Sequence, residues 1–341
     1  MRTLVFTDPL LLSHDPGPGH PEAPGRLSRA LGMLTERPLE GVQLRAPRPA
    51  THEELTRIHP AAHLLRLGQI EGRSVRLDVD TFTSPRSWEA ALLAAGSGVS
   101  AVEAVLSGDA DNAFALVRPP GHHAEPGRAM GACLLNNIAI AAAAARARGV
   151  ERVLVLDFDV HHGNGTQAAL WRRKDVLYQS VHQAPPYYPG SGEATEHGGE
   201  GGEYHTVNLP LPPGAHDADY RAAFEDLLMP IARAYRPQLV LVSAGYDAHE
   251  EDPIGEMVLT ERAYAGMSSA IVEFTREVCG GRAVFFLEGG YAPEATARCV
   301  HATLEVLSGG RRDDFGAGGV SAAVARALRE SRAVHRLAWG L

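Results

Sequence analysis

The sequence feature that most constrains the fold lies at residues 152–167, where RVLVLDFDVHHGNGTQ joins an apolar run to a polar cluster. The run at 153–156, VLVL, has the length and β-branched content of a strand that is buried on both faces of a parallel sheet. Asp157, Asp159 and His161 follow at a spacing of two, so on an extended chain they share one face. Charged side chains at the carboxyl end of such a strand occupy the position where open α/β sheets bind ligands.

The residue types in this cluster indicate a metal. Asp159 and His161 offer an oxygen and a nitrogen to one cation, a ligand mixture that suits Zn²⁺ with water at an open position. The alternative is a strand end whose polar side chains satisfy one another. Burying this much charge without a partner would be costly, which favours the metal. Gly163 and Gly165 predict a turn after the cluster.

The composition excludes several classes of function. The 41 acidic and 32 basic residues give a net charge of −9, which argues against nucleic-acid binding and leaves cationic peptides or polyamines possible. No apolar run reaches the eighteen or so residues of a membrane span and no signal peptide is recognisable, so we expect a cytoplasmic protein that binds no membrane. Three widely spaced cysteines argue against a disulfide framework and against a thiolate zinc site.

Predicted strands and helices alternate along the chain. This alternation predicts a parallel sheet that is covered on both faces, and we expect residues 1–341 to form one α/β domain. The predicted strands are 3–6, 112–117, 153–156, 175–181, 239–243 and 283–287. The predicted helices are 27–34, one starting after Thr51, 61–70, 87–106, 135–147, 220–234, 261–278, 295–307 and 322–338. A long loop at 183–203, with an aromatic start and six glycines between Gly190 and Gly202, is expected to form a functional wall.

Four of the predicted strands end in polar clusters, which should be neighbours because parallel strands place their carboxyl ends on one edge. These clusters are RPPGHHA from 118, DFDVHHGN from 157, GYDAHEEDP from 245 and EGGY from 288.

Each cluster contributes a candidate for the chemistry. Asp247 becomes the natural third ligand beside Asp159 and His161, with a helix N-cap as the alternative. His122 and His123 are suited to acid–base catalysis near neutral pH. Tyr291 could donate its hydroxyl to a developing oxyanion, although GGY is equally consistent with a simple strand-ending turn.

These motifs, together with GACLLNN and YYPGSG, resemble the zinc-dependent histone deacetylase and acetylpolyamine amidohydrolase superfamily. The resemblance covers roughly residues 3 to 308, and the RPPGHHA and HHGNGTQ forms are similar to the class II branch and its bacterial relatives. It implies the arginase/deacetylase fold, a mostly parallel sheet of about eight strands with helices on both sides.

The resemblance also implies roles for individual residues. Asp159, His161 and Asp247 match the zinc ligands, His122 and His123 the tandem catalytic histidines, and Tyr291 the transition-state tyrosine. Asp157 and Asn164 match the partners of His122 and His123, respectively. A structural K⁺ is implied at the Asp157 carboxylate, the Ser180 hydroxyl and backbone carbonyls that include those of Asp159, His161 and Val181. Arg26 resembles an arginine that lines an internal channel below the zinc.

One position departs from the family pattern. Gly131-Ala132-Cys133 stands where GFC is usual, so Ala132 replaces an aromatic wall of the acyl-lysine tunnel, while Tyr188 keeps the opposite wall. A wider tunnel should accept acyl groups larger than acetyl, or bulky esters. Ile254 stands near the tunnel mouth, where polyamine-selective members have an acidic group, and this favours a neutral acyl-lysine over a charged polyamine.

Other functions stay open at this point. Acetylpolyamine hydrolysis is the main alternative to lysine deacylation. An arginase-like ureohydrolase needs two Mn²⁺ ions, and Asp247-Ala248-His249 breaks the Asp-x-Asp pair expected for them. A non-catalytic binding protein is disfavoured because every catalytic position is filled. The sequence leaves open a homo-oligomer and the choice between Zn²⁺ and Fe²⁺.

Overall fold

One sheet of eight parallel strands organises the molecule in the computed structural model, which describes residues 1–341. The strands hydrogen-bond in the order β2-β1-β3-β8-β7-β4-β5-β6. They are β1 Thr3–Phe6, β2 Val42–Arg45, β3 Asn112–Ala115, β4 Val153–Asp157, β5 Val176–Gln183, β6 Thr206–Leu211, β7 Leu239–Ala244 and β8 Ala283–Leu287. The predicted parallel α/β sheet of about eight strands is confirmed.

Helices cover both faces of this sheet. Helices α4, α5 and α6 pack along one face, and α1, α9 and α10 form a second group that packs against β3 and β7. The helices are α1 Gly25–Glu36, α2 His52–Thr56, α3 Ala61–Gly68, α4 Ser87–Ser107, α5 Asn137–Ala147, α6 Asn164–Leu170, α7 Asp217–Ala223, α8 Met229–Tyr235, α9 Glu261–Cys279, α10 Pro293–Leu307 and α11 Ala322–Trp339. A 3₁₀ helix, Pro9–Ser13, follows β1, and a π-helical turn, Phe224–Leu228, joins α7 to α8.

The strand order positions the polar clusters. Strands β3, β8, β7 and β4 are consecutive neighbours in the middle of the sheet, and all of them run in the same direction. Each of the four ends in one of the polar clusters, so residues from distant parts of the sequence meet at one edge.

The sequence analysis did not predict the two edge strands. Three of the four residues of β2 are exposed, so this strand has no apolar run that could reveal it. Strand β6 contains Pro210, which cannot donate to a ladder and is tolerated here because β6 pairs only with β5. Both strands acquire their structure from a neighbour rather than from their own pattern.

Some predicted boundaries are wrong. The central strand, predicted at 153–156, ends at Asp157 as observed, but Asp159 and His161 lie in the loop after it, so they do not share one face of an extended strand. Helix α6 begins at Asn164, where a turn was expected. The helix predicted at 220–234 is divided by the π-helical turn.

Helix α4 corrects the expectation that no segment could span a membrane. By length and hydropathy Ser87–Ser107 could do so, but 72% of its most apolar window is buried inside the protein. The helix packs against α5 and against strands β1, β3 and β8. Its apolar composition is therefore that of a core helix.

Candidate active site

Three predicted metal ligands meet at the carboxyl ends of β4 and β7. The Nδ1 atom of His161 lies 3.0 Å from Asp159 Oδ1 and 3.0 Å from Asp247 Oδ2. One ligand atom from each residue lies within 4.8 Å of the others, and all three residues are buried. Two carboxylates and one imidazole so close together can hold a divalent cation and leave a coordination position for water or substrate.

Backbone hydrogen bonds fix the two carboxylates. Asp159 Oδ2 accepts from the N–H of Gly289 at 2.7 Å, and Asp247 Oδ1 accepts from the N–H of Val160 at 2.9 Å. Gly289 must be a glycine, because a Cβ atom there would lie 2.0 Å from Asp247 Oδ2. The loops after β4, β7 and β8 are therefore joined directly at the ligand carboxylates.

The electrostatics of these residues indicate a cation. Burial raises the pKa of Asp247, and the neighbouring Asp159 carboxylate raises it further. Burial disfavours charge on His161, but hydrogen bonds to Asp159 and Asp247 outweigh it and raise its pKa to about 10. A proton on this imidazole would offset one of the two carboxylate charges, and a divalent cation would offset both.

His122 is paired with a buried carboxylate. Its Nδ1 atom lies 3.1 Å from Asp157 Oδ2, which also accepts a hydrogen bond from the Tyr178 hydroxyl at 3.2 Å. Burial lowers the pKa of His122, but the charges of Asp159 and Asp157 prevail and raise it to about 10. A cation held by Asp159 would oppose part of this rise.

His123 has a neutral partner. Its Nδ1 atom lies 2.8 Å from Asn164 Oδ1, and Asn164 Nδ2 donates to Glu125 Oε1 at 3.1 Å. Burial, together with the nearby charges of His122 and His161, lowers the pKa of His123 well below its ordinary value. The pKa values of the two adjacent imidazoles are therefore shifted in opposite directions, because only His122 is hydrogen-bonded to a carboxylate.

The ring of His123 packs against the backbone of Gly131. That glycine has φ +59°, and a Cβ atom on it would lie 2.4 Å from the Cδ2 atom of the histidine. Ala132 follows with φ +61°, an uncommon conformation for a residue with a side chain. The turn brings the backbone into direct contact with a predicted catalytic side chain.

Tyr291 is held from behind by a buried arginine. The Arg26 guanidinium lies 4.9 Å from the centre of the Tyr291 ring and donates to the carbonyl oxygens of Gly290 and Glu288. The N–H of Tyr291 donates to Asp252 Oδ2 at 2.6 Å. Arg26 thus lies behind Tyr291 rather than among the residues that line the cavity in front of it.

Arg26 belongs to a larger buried ion cluster. Glu22 Oε1 accepts from Arg26 at 2.8 Å and from Arg118 at 2.6 Å, and all three side chains are at most 1% exposed. The two guanidinium charges and a hydrogen bond from His14 lower the pKa of Glu22 in spite of its burial. The carboxylate is therefore charged and links the loop before α1 to β3 and β8.

Glu288 connects the tandem histidines to the end of β8. Its Oε2 atom accepts from the N–H groups of Gly121 and His122 at 2.7 and 3.1 Å, and its Oε1 atom accepts from the Ser243 hydroxyl at 2.9 Å. Burial raises the pKa of Glu288 to about 7. The carboxylate is thus fully hydrogen-bonded although it lies deep in the protein.

A cavity of about 360 Å³ leads to these residues. Its lining includes His20, Pro21, Glu22, Val79, Asp80, Phe82, His123, Gly131, Ala132, His161, Tyr188, Ile254 and Tyr291. The Tyr188 ring is edge-on to His123 at 5.2 Å, and the Tyr187 ring stacks on His161 at 5.1 Å. The cavity therefore brings together the predicted wall residues, one metal ligand and two predicted catalytic residues.

The residues expected to hold K⁺ lie on the neighbouring strands β4 and β5. The β4–β5 register pairs Asp157 with Ser180, and Val181 follows; all three are fully buried. The Ser180 hydroxyl is 2.8 Å from His182 Nδ1. The strand register thus makes neighbours of a buried carboxylate and a buried hydroxyl-bearing residue.

A second group of metal-ligating side chains lies outside this site. His249, Glu251 and Glu261 have ligand atoms within 4.8 Å of one another. Arg298 donates to both carboxylates, so part of their negative charge is already offset within the protein.

Sequence reasoning missed several residues that support the site. Glu22, Phe82, Glu125, Tyr187, Asp252 and Glu288 were not singled out. Four of them, Glu125, Tyr187, Asp252 and Glu288, lie inside or beside the motifs that revealed the site, and their charge or aromatic ring next to a predicted residue was the available signal. Glu22 and Phe82 lie in none of these motifs.

The chain is similar over most of its length to proteins of one family. The model of the histone deacetylase domain matches residues 20–307. A histone deacetylase-like amidohydrolase of Pseudomonas aeruginosa is 41% identical, over 91% of this chain and 87% of that protein. A probable deacetylase of Archaeoglobus fulgidus is 40% identical, over 83% of this chain and 79% of that protein.

A solved structure extends the similarity to the whole fold. The crystal structure of the HDA15 HD domain superposes with a TM-score of 0.93 at 35% identity, and the match covers 100% of this chain and 97% of that one. The chain, with its carboxylate–imidazole cluster at the edge of a parallel sheet, belongs to the histone deacetylase family.

Proposed function

We propose that the protein is a zinc-dependent amidohydrolase that removes acetyl or larger acyl groups from the ε-amine of lysine. Membership in the histone deacetylase family supports a deacetylase that hydrolyses amides. The observation that carries the finer proposal is the juxtaposition of the Asp159–His161–Asp247 cluster with His123 and Tyr291 at one cavity.

The donor set of the cluster fits Zn²⁺. Two carboxylate oxygens and one imidazole nitrogen are the ligands of a catalytic site with an open position, and Fe²⁺ is the other ion that accepts them. When bound, the cation would polarise the substrate carbonyl and make the attacking water more acidic. The remaining chemistry belongs to side chains of the protein.

His123 is the proposed general base. Its Nδ1–H is donated to Asn164, so the Nε2 atom is free to accept a proton from the attacking water. Its lowered pKa keeps it unprotonated near neutral pH. After the amide bond breaks, the same imidazole can return the proton to the leaving amine. His122, whose raised pKa favours the imidazolium, would act through its charge.

Tyr291 is the proposed oxyanion donor. Burial raises its pKa well above the ordinary value, so the phenol keeps its proton. A neutral hydroxyl at the cavity wall can donate to the oxygen that becomes negative during attack. Arg26 would hold the ring in place for this contact, in addition to the channel role that the family resemblance implies.

K⁺ is the proposed structural ion. Asp157, Asp159, Asp247 and Glu288 are four buried carboxylates within one region. A monovalent cation between Asp157, Ser180 and the carbonyl of Val181 would offset part of this negative charge.

The proposed substrate is a neutral acyl-lysine. Ala132 contributes only a methyl group to the cavity wall, and Ile254 places no charge at the mouth. Acetylpolyamine hydrolysis is the second candidate, because the acidic surface does not exclude a cationic substrate. We also propose that residues 1–341 form one domain, since a single sheet contains strands from both ends of the chain. The proposed location is the cytoplasm. A homo-oligomer is compatible with the proposal.

The test is a steady-state assay of the zinc-loaded protein on acetyl-lysine, trifluoroacetyl-lysine, octanoyl-lysine and N-acetylated polyamine substrates. We expect kcat/KM to be at least tenfold higher for the best acyl-lysine than for the acetylated polyamines, which corresponds to about 1.4 kcal/mol of transition-state preference. His123→Ala should abolish turnover and leave the metal bound. A tenfold higher kcat/KM for acetylated polyamines would instead identify acetylpolyamine hydrolysis, the second candidate, as the function.

Acyl length is tested in the same assay. Ala132→Phe should lower the ratio of octanoyl-lysine to acetyl-lysine activity, because the added ring narrows the cavity. An unchanged or higher ratio in the variant would reject the wide-cavity proposal.

A further inference from the structure

The turn at Gly131–Ala132 is bonded to a loop that precedes α4. Asp80 Oδ1 accepts from the N–H of Gly131 at 3.2 Å, and Thr81 Oγ1 accepts from the N–H of Ala132 at 3.1 Å. Two consecutive loop residues thus hold two consecutive residues of the turn. The residue that follows them in the loop is Phe82.

Phe82 lies at the same cavity as Ala132 and Tyr188. Its ring is edge-on to His20, with 5.7 Å between ring centres and 71° between ring planes. The Arg76 guanidinium lies 5.5 Å from the ring centre, and residues 76 and 82 form an antiparallel bridge. The half-buried ring is thus in contact with an imidazole and with a guanidinium, which favour this orientation.

We infer that Phe82 supplies, from this loop, the aromatic wall that position 132 lacks, and that it determines how tightly the aliphatic part of the substrate is bound. Ala132 offers only a methyl group, while the loop anchored on its N–H presents a fixed apolar ring to the same space. The width of the cavity then depends on residues 82 and 132 together. This inference rests on the proposed function, since it concerns the substrate of that site.

The chemistry of the side chain defines its expected kinetic effect. A phenyl ring can neither transfer a proton nor bind a metal, so Phe82 would contact the substrate equally in the ground state and in the transition state. Loss of such uniform binding raises KM more than it lowers kcat. A residue that acts only on loop structure would instead change the melting temperature.

The experiment compares the wild type with Phe82→Ala, Phe82→Leu and the double variant Phe82→Ala/Ala132→Phe on an acetyl-lysine amide. We expect Phe82→Ala to raise KM about tenfold, equivalent to about 1.4 kcal/mol, and to change kcat much less. Phe82→Leu should be intermediate, since it keeps apolar volume without a flat ring. The double variant should return KM to within about threefold of the wild type, because the ring is restored from the other side. Leu337→Ala, at a residue that is 89% exposed on α11, is the matched control.

Two results would overturn the inference: an unchanged KM in Phe82→Ala, or a double variant as weak as Phe82→Ala. Failure of the proposed function is distinguishable, because the wild type itself would then not hydrolyse acyl-lysine. In that case the dissociation constant of hexanohydroxamic acid, a metal chelator with an alkyl chain, is measured on the zinc-loaded proteins. Weaker binding in Phe82→Ala that the double variant restores supports the aromatic wall, and equal binding in all variants rejects it.

Discussion

The Nδ1 atom of His123 lies 2.8 Å from the amide oxygen of Asn164. An amide oxygen can only accept, so the imidazole must donate this hydrogen bond. The amide cannot turn over without losing its bond from Nδ2 to Glu125 Oε1. The pair therefore fixes the tautomer of the histidine and places its unprotonated nitrogen on the other side of the ring.

Replacing the neutral partner by a charged one should move the pH dependence of activity. The pKa of His123 is lowered, so the active neutral form persists below pH 6.5 and activity falls only in more acidic solution. In Asn164→Asp the carboxylate would stabilise the imidazolium and raise this pKa by about one unit or more. The acid limb of kcat/KM, measured from pH 5 to 9, should shift upward by the same amount. An unshifted limb would show that another group titrates.

A methyl group at Gly131 should displace the proposed base. The added Cβ in Gly131→Ala would lie 2.4 Å from His123 Cδ2, in a backbone conformation that disfavours a side chain. We expect kcat/KM to fall at least about 100-fold, because small misplacements of catalytic groups are that costly. Gly127→Ala is the matched control in the same loop, since nothing lies within 4 Å of its Cβ position. Retained zinc in Gly131→Ala, measured by elemental analysis, would separate this effect from loss of the metal.

Zinc should stabilise the folded protein through the carboxylate cluster. Adding Zn²⁺ to chelator-treated protein should raise the free energy of unfolding by about 2.7 kcal/mol at a hundredfold excess over the dissociation constant. Asp247→Asn should lose most of this gain, and Glu251→Gln should keep it because Glu251 lies outside the Asp159–His161–Asp247 cluster and is paired with Arg298. The measurement is thermal unfolding with and without the ion. If zinc raised the melting temperature of the two variants equally, the metal would bind at another site.

A buried histidine that lines no part of the candidate cavity should make stability depend on pH. His59 Nε2 accepts from the N–H of Asn136 at 3.0 Å, and its Nδ1 donates to the carbonyl of Pro126 at 3.0 Å. Burial lowers the pKa of His59 to about 4, so the folded state requires the neutral ring. Its contribution is complete above the unfolded pKa near 6.5 and is lost as the pH falls toward 4.

The expected loss attributable to His59 is about 2 kcal/mol between pH 7 and pH 5. Denaturant unfolding of the wild type and of His59→Gln at both pH values measures it. The glutamine can donate and accept but does not titrate, so the variant should lose about 2 kcal/mol less than the wild type over this interval. The same loss in both proteins would contradict the assignment.

The central part of the fold could be predicted from sequence because its strands are buried on both faces. Strands β3, β4, β7 and β8 are apolar runs that end in polar residues, and each signal is local. The edge strands carry no such signal, since β2 is mostly exposed and β6 contains Pro210. Their structure depends on hydrogen bonds from β1 and β5, which no local pattern records.

The candidate site likewise contains residues that local sequence patterns predict and residues that they do not. The residues predicted to hold a metal and to transfer protons occur in short motifs, and the structure brings them within hydrogen-bonding distance of their expected partners. Phe82 could not be predicted, because its position depends on hydrogen bonds between residues 51 positions apart in the sequence. The same holds for Glu22, whose partner Arg118 lies 96 residues away.

The position of β8 between β3 and β7 has a consequence for synthesis on the ribosome. In the finished sheet β8 is the strand that joins a first strip, β2-β1-β3, to a second strip, β7-β4-β5-β6, so the two strips have no strand to pair them until residues 283–287 emerge. The tandem histidines belong to the first strip and the carboxylate–imidazole cluster to the second. The nascent chain therefore has no complete candidate site until its last strand inserts, and Tyr291 follows that strand by only four residues. The proposed hydrolysis thus requires the complete sheet, which links the chemistry of the site to the last step of folding.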